Sequence, residues 1–193
     1  MFNVRIHGRG GQGAVTAAEM LSVAAFGMGL HAQAFPTFGS ERTGAPVVAF
    51  CRIHDRPITF HEPIAEPDAL VIQDATLLHQ VRLFEGARPD TYLLVNTSWS
   101  LAHLGIDELV AGLDPARVAT LAATELARER LHRPMPNTAL LGAFAALTGV
   151  VSLDAVTRAI GARFSGAVAD ANIDVATEAY HQIMERDRSR ADA

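Results

Sequence analysis

Residues 2–16 read FNVRIHGRGGQGAVT, and this stretch decides the fold. Phe2, Val4 and Ile6 form a short apolar run, Gly8, Gly10 and Gly13 follow in a Gly-x-Gly-x-x-Gly spacing, and a helix-compatible segment opens at Ala14. The order is strand, glycine turn, helix. Glycines so placed allow a tight turn, a close approach of backbone to ligand and close packing of helix on strand, while the helix N-terminus offers unpaired N–H groups and about half a positive charge. The direct reading is an anion-binding loop made of Gly8, Arg9, Gly10, Gly11, Gln12 and Gly13. A structural strand-to-helix turn is the alternative. A side chain at Gly10 is expected to block the approach and to bring left-handed strain.

A dinucleotide site of the usual kind also places an acid at the tip of the second strand to hold the ribose hydroxyls. Here that region reads LHAQAF, and Glu19, the one acid between Gly13 and Glu41, lies within the first helix. A nicotinamide cofactor is therefore disfavoured. Other phosphate-bearing ligands, or a loop that contacts only a partner, stay open.

All 16 basic residues are arginine, which excludes a Walker-type phosphate lysine, a Schiff-base lysine and a pyridoxal phosphate anchor. The lone cysteine, Cys51, cannot ligate an iron-sulfur cluster by itself and fits a buried strand position. No spaced Cys/His set supports zinc, so no metal ligands are assigned. A formal charge of -5 argues against nucleic-acid binding, and no signal segment or long apolar run indicates a membrane. A cytoplasmic protein is expected.

With 193 residues and 49% hydrophobic content, one domain spanning 1–193 is expected, with 186–193 as a solvated tail. Val15, Ala18, Leu21, Ala25 and Met28 mark a helix over 14–28 that stops at Gly29. A second strand covers 30–35. Segments 47–53 and 57–60 flank His54-Asp55-Arg56 as an expected hairpin. Segments 69–73 and 92–95 read as doubly buried strands around a helix at 76–84, a parallel βαβ unit. A strand at 118–121 precedes helices at about 124–131, 137–147, 152–164 and 168–186, with Asn137 as an expected N-cap. The fold class is α/β with a mostly parallel sheet, an inserted β-hairpin and a helical C-terminal part.

In such sheets ligands bind beyond the carboxyl ends of the strands, where Asp74 and Asn96-Thr97-Ser98 fall beside the glycine loop. Asn96 and Thr97 are lesser cofactor-binding candidates, since Asp74 also suits a helix cap and 96–98 an ordinary turn. His7 is an acid-base candidate or a structural strand-end histidine, and no catalytic residue is assigned. The loop 36–46 carries Phe38, Gly39, Glu41 and Arg42 between prolines without a hydrophobic period, which suits a partner interface; a loop folded back on its own domain is the alternative.

The segments RIHGRGGQGAVTAAE, AQAFPTFGSERTGAPVVAFCRI, EPDALVIQD and NTALLGAF together resemble the gamma subunit, or gamma domain, of the 2-oxoacid:ferredoxin oxidoreductases, the pyruvate synthase family. The resemblance covers most of the chain, and the middle block is its most specific part. It implies a Rossmann-like domain that is inactive alone, within a complex that oxidatively decarboxylates a 2-oxoacid to an acyl-CoA. It implies alpha and beta subunits that bind thiamine pyrophosphate and Mg, a ferredoxin-like delta subunit with 4Fe-4S clusters, and ferredoxin or another electron acceptor. Residues 8–13 match the family's glycine loop, a candidate for coenzyme A or another phosphate, and Phe38, Gly39, Glu41 and Arg42 match its middle signature. This chain has neither a Gly-Asp-Gly thiamine motif nor the cysteines for a cluster. A freestanding nucleotide-binding regulatory module or small reductase is the other reading.

Overall fold

The computed structural model describes residues 1–36, 44–80 and 82–191. A six-stranded sheet is built from β1 (Phe2–Arg9), β2 (His31–Pro36), β3 (Pro46–His54), β4 (Ala69–Ile72), β5 (Tyr92–Asn96) and β6 (Val118–Leu121) in the order β2-β3-β1-β4-β5-β6. β1, β4, β5 and β6 are parallel, and β3 runs antiparallel between β1 and β2. The mostly parallel α/β sheet expected from the sequence is thus present.

The inserted hairpin has a different partner. Residues 57–60 form no strand; β3 instead pairs back on β2. Both edges of β3 are already taken, by β1 on one side and β2 on the other, so no ladder is left for 57–60. The helix expected at 76–84 is also replaced, by a 3₁₀ turn over Ala75–His79 and irregular turns. Leu77, Leu78 and Leu83 are all buried, a spacing that does not follow a helical period, and the carbonyls of Leu83 and Glu85 are captured by Arg5.

One face of the sheet is covered by helices α1 (Ala14–Gly27), α3 (Ala123–Leu131), α4 (Asn137–Thr148), α5 (Leu153–Arg163) and α6 (Gly166–Ala191). Against Val4, Ile6, Cys51, Val71 and Leu94 of the sheet, α1 sets Ala14, Ala17, Ala18, Leu21, Ala24 and Ala25. Small side chains bring it close to the strands; Val15 is only partly buried and Met28 is exposed, so the buried stripe is narrower than its large residues suggest. Gly29 adopts φ 82° and the Leu30 amide reaches back to the Ala25 carbonyl, which ends α1 as expected. Residues 186–191, expected as a tail, instead continue α6, because the guanidinium groups of Arg186 and Arg190 hydrogen bond the carbonyls of Val118 and Pro115.

The opposite face is covered without long helices. Leu70, Ile72, Leu93 and Val95 pack under Leu77, Leu78, Leu83, Ile106 and Leu113, with a single turn, α2 (Asp107–Val110), among the covering segments. Toward β1 this face turns polar, and Arg5, only 7% exposed, organises it. Its Nε donates to His7 Nε2 at 3.1 Å, its Nη2 to the carbonyls of Leu83 and Glu85 at 2.6 and 2.8 Å, and its Nη1 to those of Ile64 and Ala65 at 3.4 Å each. Gly86 permits this convergence: at φ 76° an added Cβ would sit 1.9 Å from the Ala65 carbonyl oxygen.

Gly142 in α4 is equally constrained, since an added Cβ would lie 1.9 Å from the Ala176 carbonyl oxygen of α6. Gly142→Ala is expected to lower unfolding free energy by about 3 kcal/mol, as a methyl group forced between two packed backbones. Gly161, whose Cβ would meet nothing within 4 Å, gives the opposite sign: Gly161→Ala should stabilise by about 0.5–1 kcal/mol by restricting the unfolded chain. Urea denaturation of both variants measures the difference.

Candidate functional site

The connections leave β1 toward β2 and β4 toward β5 on opposite sides, which makes the gap between the C-terminal ends of β1 and β4 the switch point of the sheet. A cleft of about 810 Å³ opens there, lined by Gly10, Gly11 and Gln12 after β1, Gln73 and Asp74 after β4, Asn96 to Trp99 after β5, and Thr124, Glu125 and Arg128 of α3. Helix α1 begins beside it with the bond from the Ala17 amide to the Gly13 carbonyl, so the amides of residues 14–16 have no intrahelical acceptor.

The glycines divide their work. Gly8 lies within β1, where an added Cβ would meet the Gln73 Oε1 at 2.8 Å. Gly10 has no positive φ and is pinned by bonds to residues 44 and 45; the left-handed positions are Gly11 (φ 95°) and Gly13 (φ 77°). The strain expected at Gly10 therefore belongs to its neighbours. Gly13 packs against Asn137, whose Nδ2 would be 2.6 Å from a Cβ there. Asn137 is buried and is the first residue of α4, not its N-cap: Pro136 holds the cap position, and Asn137 serves the helix start from one residue further in, its Oδ1 accepting from the Thr138 amide at 3.0 Å.

The polar side chains of the loop are turned inward. Arg9 pairs with Asp74 at 3.2 Å and also donates to Thr76, Gln80 and the Gly44 carbonyl. Gln12 accepts from the Arg9 amide and donates to Asp74 at 2.7 Å. Burial opposes the charge on Asp74, yet the hydrogen bonds from Thr76 and Gln12 and the nearby Arg9 outweigh it and hold its pKa below the ordinary carboxylate value. Asp74 also caps the 3₁₀ turn through the Thr76 amide, as its expected capping role requires.

Asn96 is a brace. Its amide donates to the Gln73 carbonyl and to Thr124 Oγ1 and accepts from the Thr124 amide, fastening three chain segments at the cleft floor. Thr97 bonds Leu121 through its amide and receives the Trp99 amide at Oγ1. Gln73, Trp99, His103 and Arg128 were not singled out by sequence reasoning. The signal for Gln73 is a polar residue closing the apolar strand ALVI; its side-chain amide is 1% exposed and neither polar atom has a hydrogen-bond partner. The signal for Trp99 is an aromatic directly after the polar trio 96–98. Phe38, Gly39, Glu41 and Arg42 lie outside the described residues, but Gly44 and Ala45, which follow that loop, are bonded to Gly10.

Among the described residues no three His, Cys, Asp or Glu groups gather as metal ligands, and no helix is long and apolar enough to cross a membrane. Cys51 is fully buried, and desolvation pushes its thiol up to about 12. His7 faces Arg5 and not the cleft; burial, then the Arg5 charge, bring its pKa down to about 3. It is a neutral acceptor, not an acid-base group.

A cleft at the switch point of a mostly parallel sheet, with a glycine turn and a helix N-terminus on its rim, is the architecture of a ligand-binding α/β domain. The comparisons with known proteins specify it. The pyruvate ferredoxin/flavodoxin oxidoreductase family model matches residues 3–182, and the chain belongs to that family. It is 44% identical to the pyruvate synthase subunit PorC of Methanocaldococcus jannaschii, over 96% of this chain and 99% of that one. With the pyruvate/ketoisovalerate oxidoreductases common subunit gamma of Thermococcus kodakarensis it shares 46% identity, over 95% and 98%. The crystal structure of the pyruvate oxidoreductase subunit PORC from Thermotoga maritima superposes with a TM-score of 0.79 at 37% identity, over 93% and 95%. The chain is thus a gamma-type subunit of a multi-subunit 2-oxoacid oxidoreductase.

The His7 environment predicts a pH dependence. The folded pKa lies below the ordinary 6.5, so the unfolded chain takes up a proton first, and stability is complete above pH 6.5 and declines as pH falls toward 3. The decline attributable to His7 should approach about 1.4 kcal/mol per pH unit. Unfolding free energies of wild type and His7→Gln measured from about pH 6.5 to 4.5 should converge as pH falls; parallel curves would refute the assignment.

Proposed function

We propose that this subunit performs no chemistry of its own and contributes the coenzyme A side of a composite active site. In this reading the complex oxidatively decarboxylates a 2-oxoacid to an acyl-CoA. Thiamine pyrophosphate and Mg reside on alpha and beta subunits, and 4Fe-4S clusters on a ferredoxin-like delta subunit pass electrons to ferredoxin or a related acceptor. The donor set of this chain fits that division: one buried cysteine and no gathered metal ligands among the described residues leave it nothing with which to hold a cluster.

The observation that carries the coenzyme A reading is the cleft between β1 and β4. A diphosphate there lies against Gly10, Gly11 and Gln12, near the positive dipole end of α1 that follows them. The cation is Arg128 of α3, which lines the cleft and makes no ion pair among the described residues; Arg9 is committed to Asp74. Gln73, with its orphaned amide at the floor, supplies a donor and an acceptor to a ligand or to a water beneath it. The residues bind and orient coenzyme A, and the acyl chemistry takes place on the partner subunits. We further propose that Phe38, Gly39, Glu41 and Arg42 contact those partners; Gly44 and Ala45, which follow them in the chain, are bonded to Gly10.

Gly11 tests the ligand. Its Cβ would meet nothing within 4 Å, so a methyl group projects into open space at the cleft rim, at a left-handed strain cost of about 1–2 kcal/mol. The assembled complex with Gly11→Ala should keep its bound thiamine and show a raised KM for coenzyme A. Superimposable coenzyme A titrations would withdraw the assignment.

Arg42 tests the interface. Arg42→Ala should weaken retention of the subunit on a tagged partner, by about 2–5 kcal/mol if it leaves a buried charge half-paired, and leave thermal unfolding of the free subunit unchanged. A large fall in unfolding temperature with normal retention would place the loop within its own domain.

A further inference from the structure

Trp99 is the single tryptophan of the chain, and it stands 52% exposed on the wall of the cleft. Its backbone is rigidly based: its amide donates to Thr97 Oγ1 at 3.0 Å, and the Thr97 amide is itself bonded to the Leu121 carbonyl at 2.8 Å. The indole packs against the His103 ring, with centroids 3.6 Å apart and planes inclined by 50°. Both rings line the cleft together with Leu104, whose carbonyl is held by His79. The cleft therefore has two chemically different parts. One is the glycine loop beside the α1 N-terminus, suited to phosphate; the other is an aromatic wall made of the Trp99 and His103 rings.

We propose that Trp99, backed by His103, is the stacking platform for the heteroaromatic base of a nucleotide ligand whose phosphates face the α1 N-terminus. The proposal rests on the reading of the cleft as a coenzyme A site and adds to it the residue that holds the base. Stacking uses the π-face that every base possesses, and a base stacked on an aromatic side chain typically gains a factor of about 5 to 150 in affinity. Recognition at this end is then tolerant of base identity. The polar floor, Gln73 and Asn96, does not contribute to it.

The test uses the intact complex and fragments of the ligand. Adenosine 5′-diphosphate carries the base and the diphosphate; pantetheine carries neither. Trp99→Ala is expected to raise the KM for coenzyme A about tenfold, with the loss concentrated in KM, and to raise the inhibition constant of adenosine 5′-diphosphate by a similar factor. The inhibition constant of pantetheine should not change, and Trp99→Phe should restore most of the affinity. If Trp99→Ala leaves both coenzyme A and adenosine 5′-diphosphate unaffected while Gly11→Ala weakens coenzyme A, the stacking proposal fails and the cleft reading stands. If neither substitution alters the KM for coenzyme A, the cleft reading itself fails, and stacking with it. Loss of subunit retention in Trp99→Ala with normal affinity for both ligands makes Trp99 a partner contact and overturns the proposal.

Discussion

The structure depends on one buried cation. Arg5 has five N–H groups, and each finds an acceptor: the His7 ring and four backbone carbonyls from two separate irregular segments. Burial lowers its pKa, partly offset by the Glu85 charge, yet guanidinium keeps its proton in proteins, so the fold has to supply acceptors where a hydrocarbon core would not. That requirement explains why the chain is irregular around 64–65 and 83–85, in the connections that precede and follow β4. A helix consumes its own carbonyls, whereas the chain around 64–65 and 83–85 has to aim them at β1. Gly86 and the neutral His7 belong to the same arrangement, one allowing the two segments to touch and the other offering a lone pair instead of a second positive charge.

The cleft follows from the insertion of β3. In a simple doubly wound sheet the second strand lies next to the first, and its tip flanks the glycine loop. Here β3 separates them, so the tip of β2 stands a full strand away and an acid there has no ribose to hold. The space beside the glycine loop is taken instead by Gly44 and Ala45. Arg9, Gln12 and Asp74 then neutralise and fix the rim among themselves, so the loop is rigid before any ligand arrives and a bound group pays little ordering entropy.

The sequence made the regular part of this architecture legible. β1, α1, β4, β5 and β6 and the four later helices follow from apolar runs, periodicity and the glycine stop at 29, because each is determined by residues near one another in the chain. The partner of β3 was not legible, since a strand's apolar alternation is the same whichever neighbour it pairs with. Arg9 looked like a phosphate ligand for a related reason: its counter-charge, Asp74, is brought to it by the parallel pairing of β1 and β4 and not by any local motif. Asn137 reads as a cap from Pro-Met-Pro-Asn, while its place is decided by the space left at Gly13. The candidate site was therefore visible as a location, and its working side chains, Gln73, Trp99 and Arg128, emerged only when separate strand ends met.

The two coverings of the sheet also set the order in which the molecule opens. Amide hydrogens beneath α4 and α6 are shielded by a continuous apolar layer and by backbones in close approach at Gly142, and they are expected to exchange only with global unfolding. The opposite face is sealed by turns, a 3₁₀ segment and a single helical turn, which can detach piecemeal at lower free energy. The cleft takes its glycine wall from the first layer and its aromatic wall from the second. One side of the opening is thus anchored to the helical layer and the other to the layer of turns, with Trp99 itself tied back to β6 through Thr97.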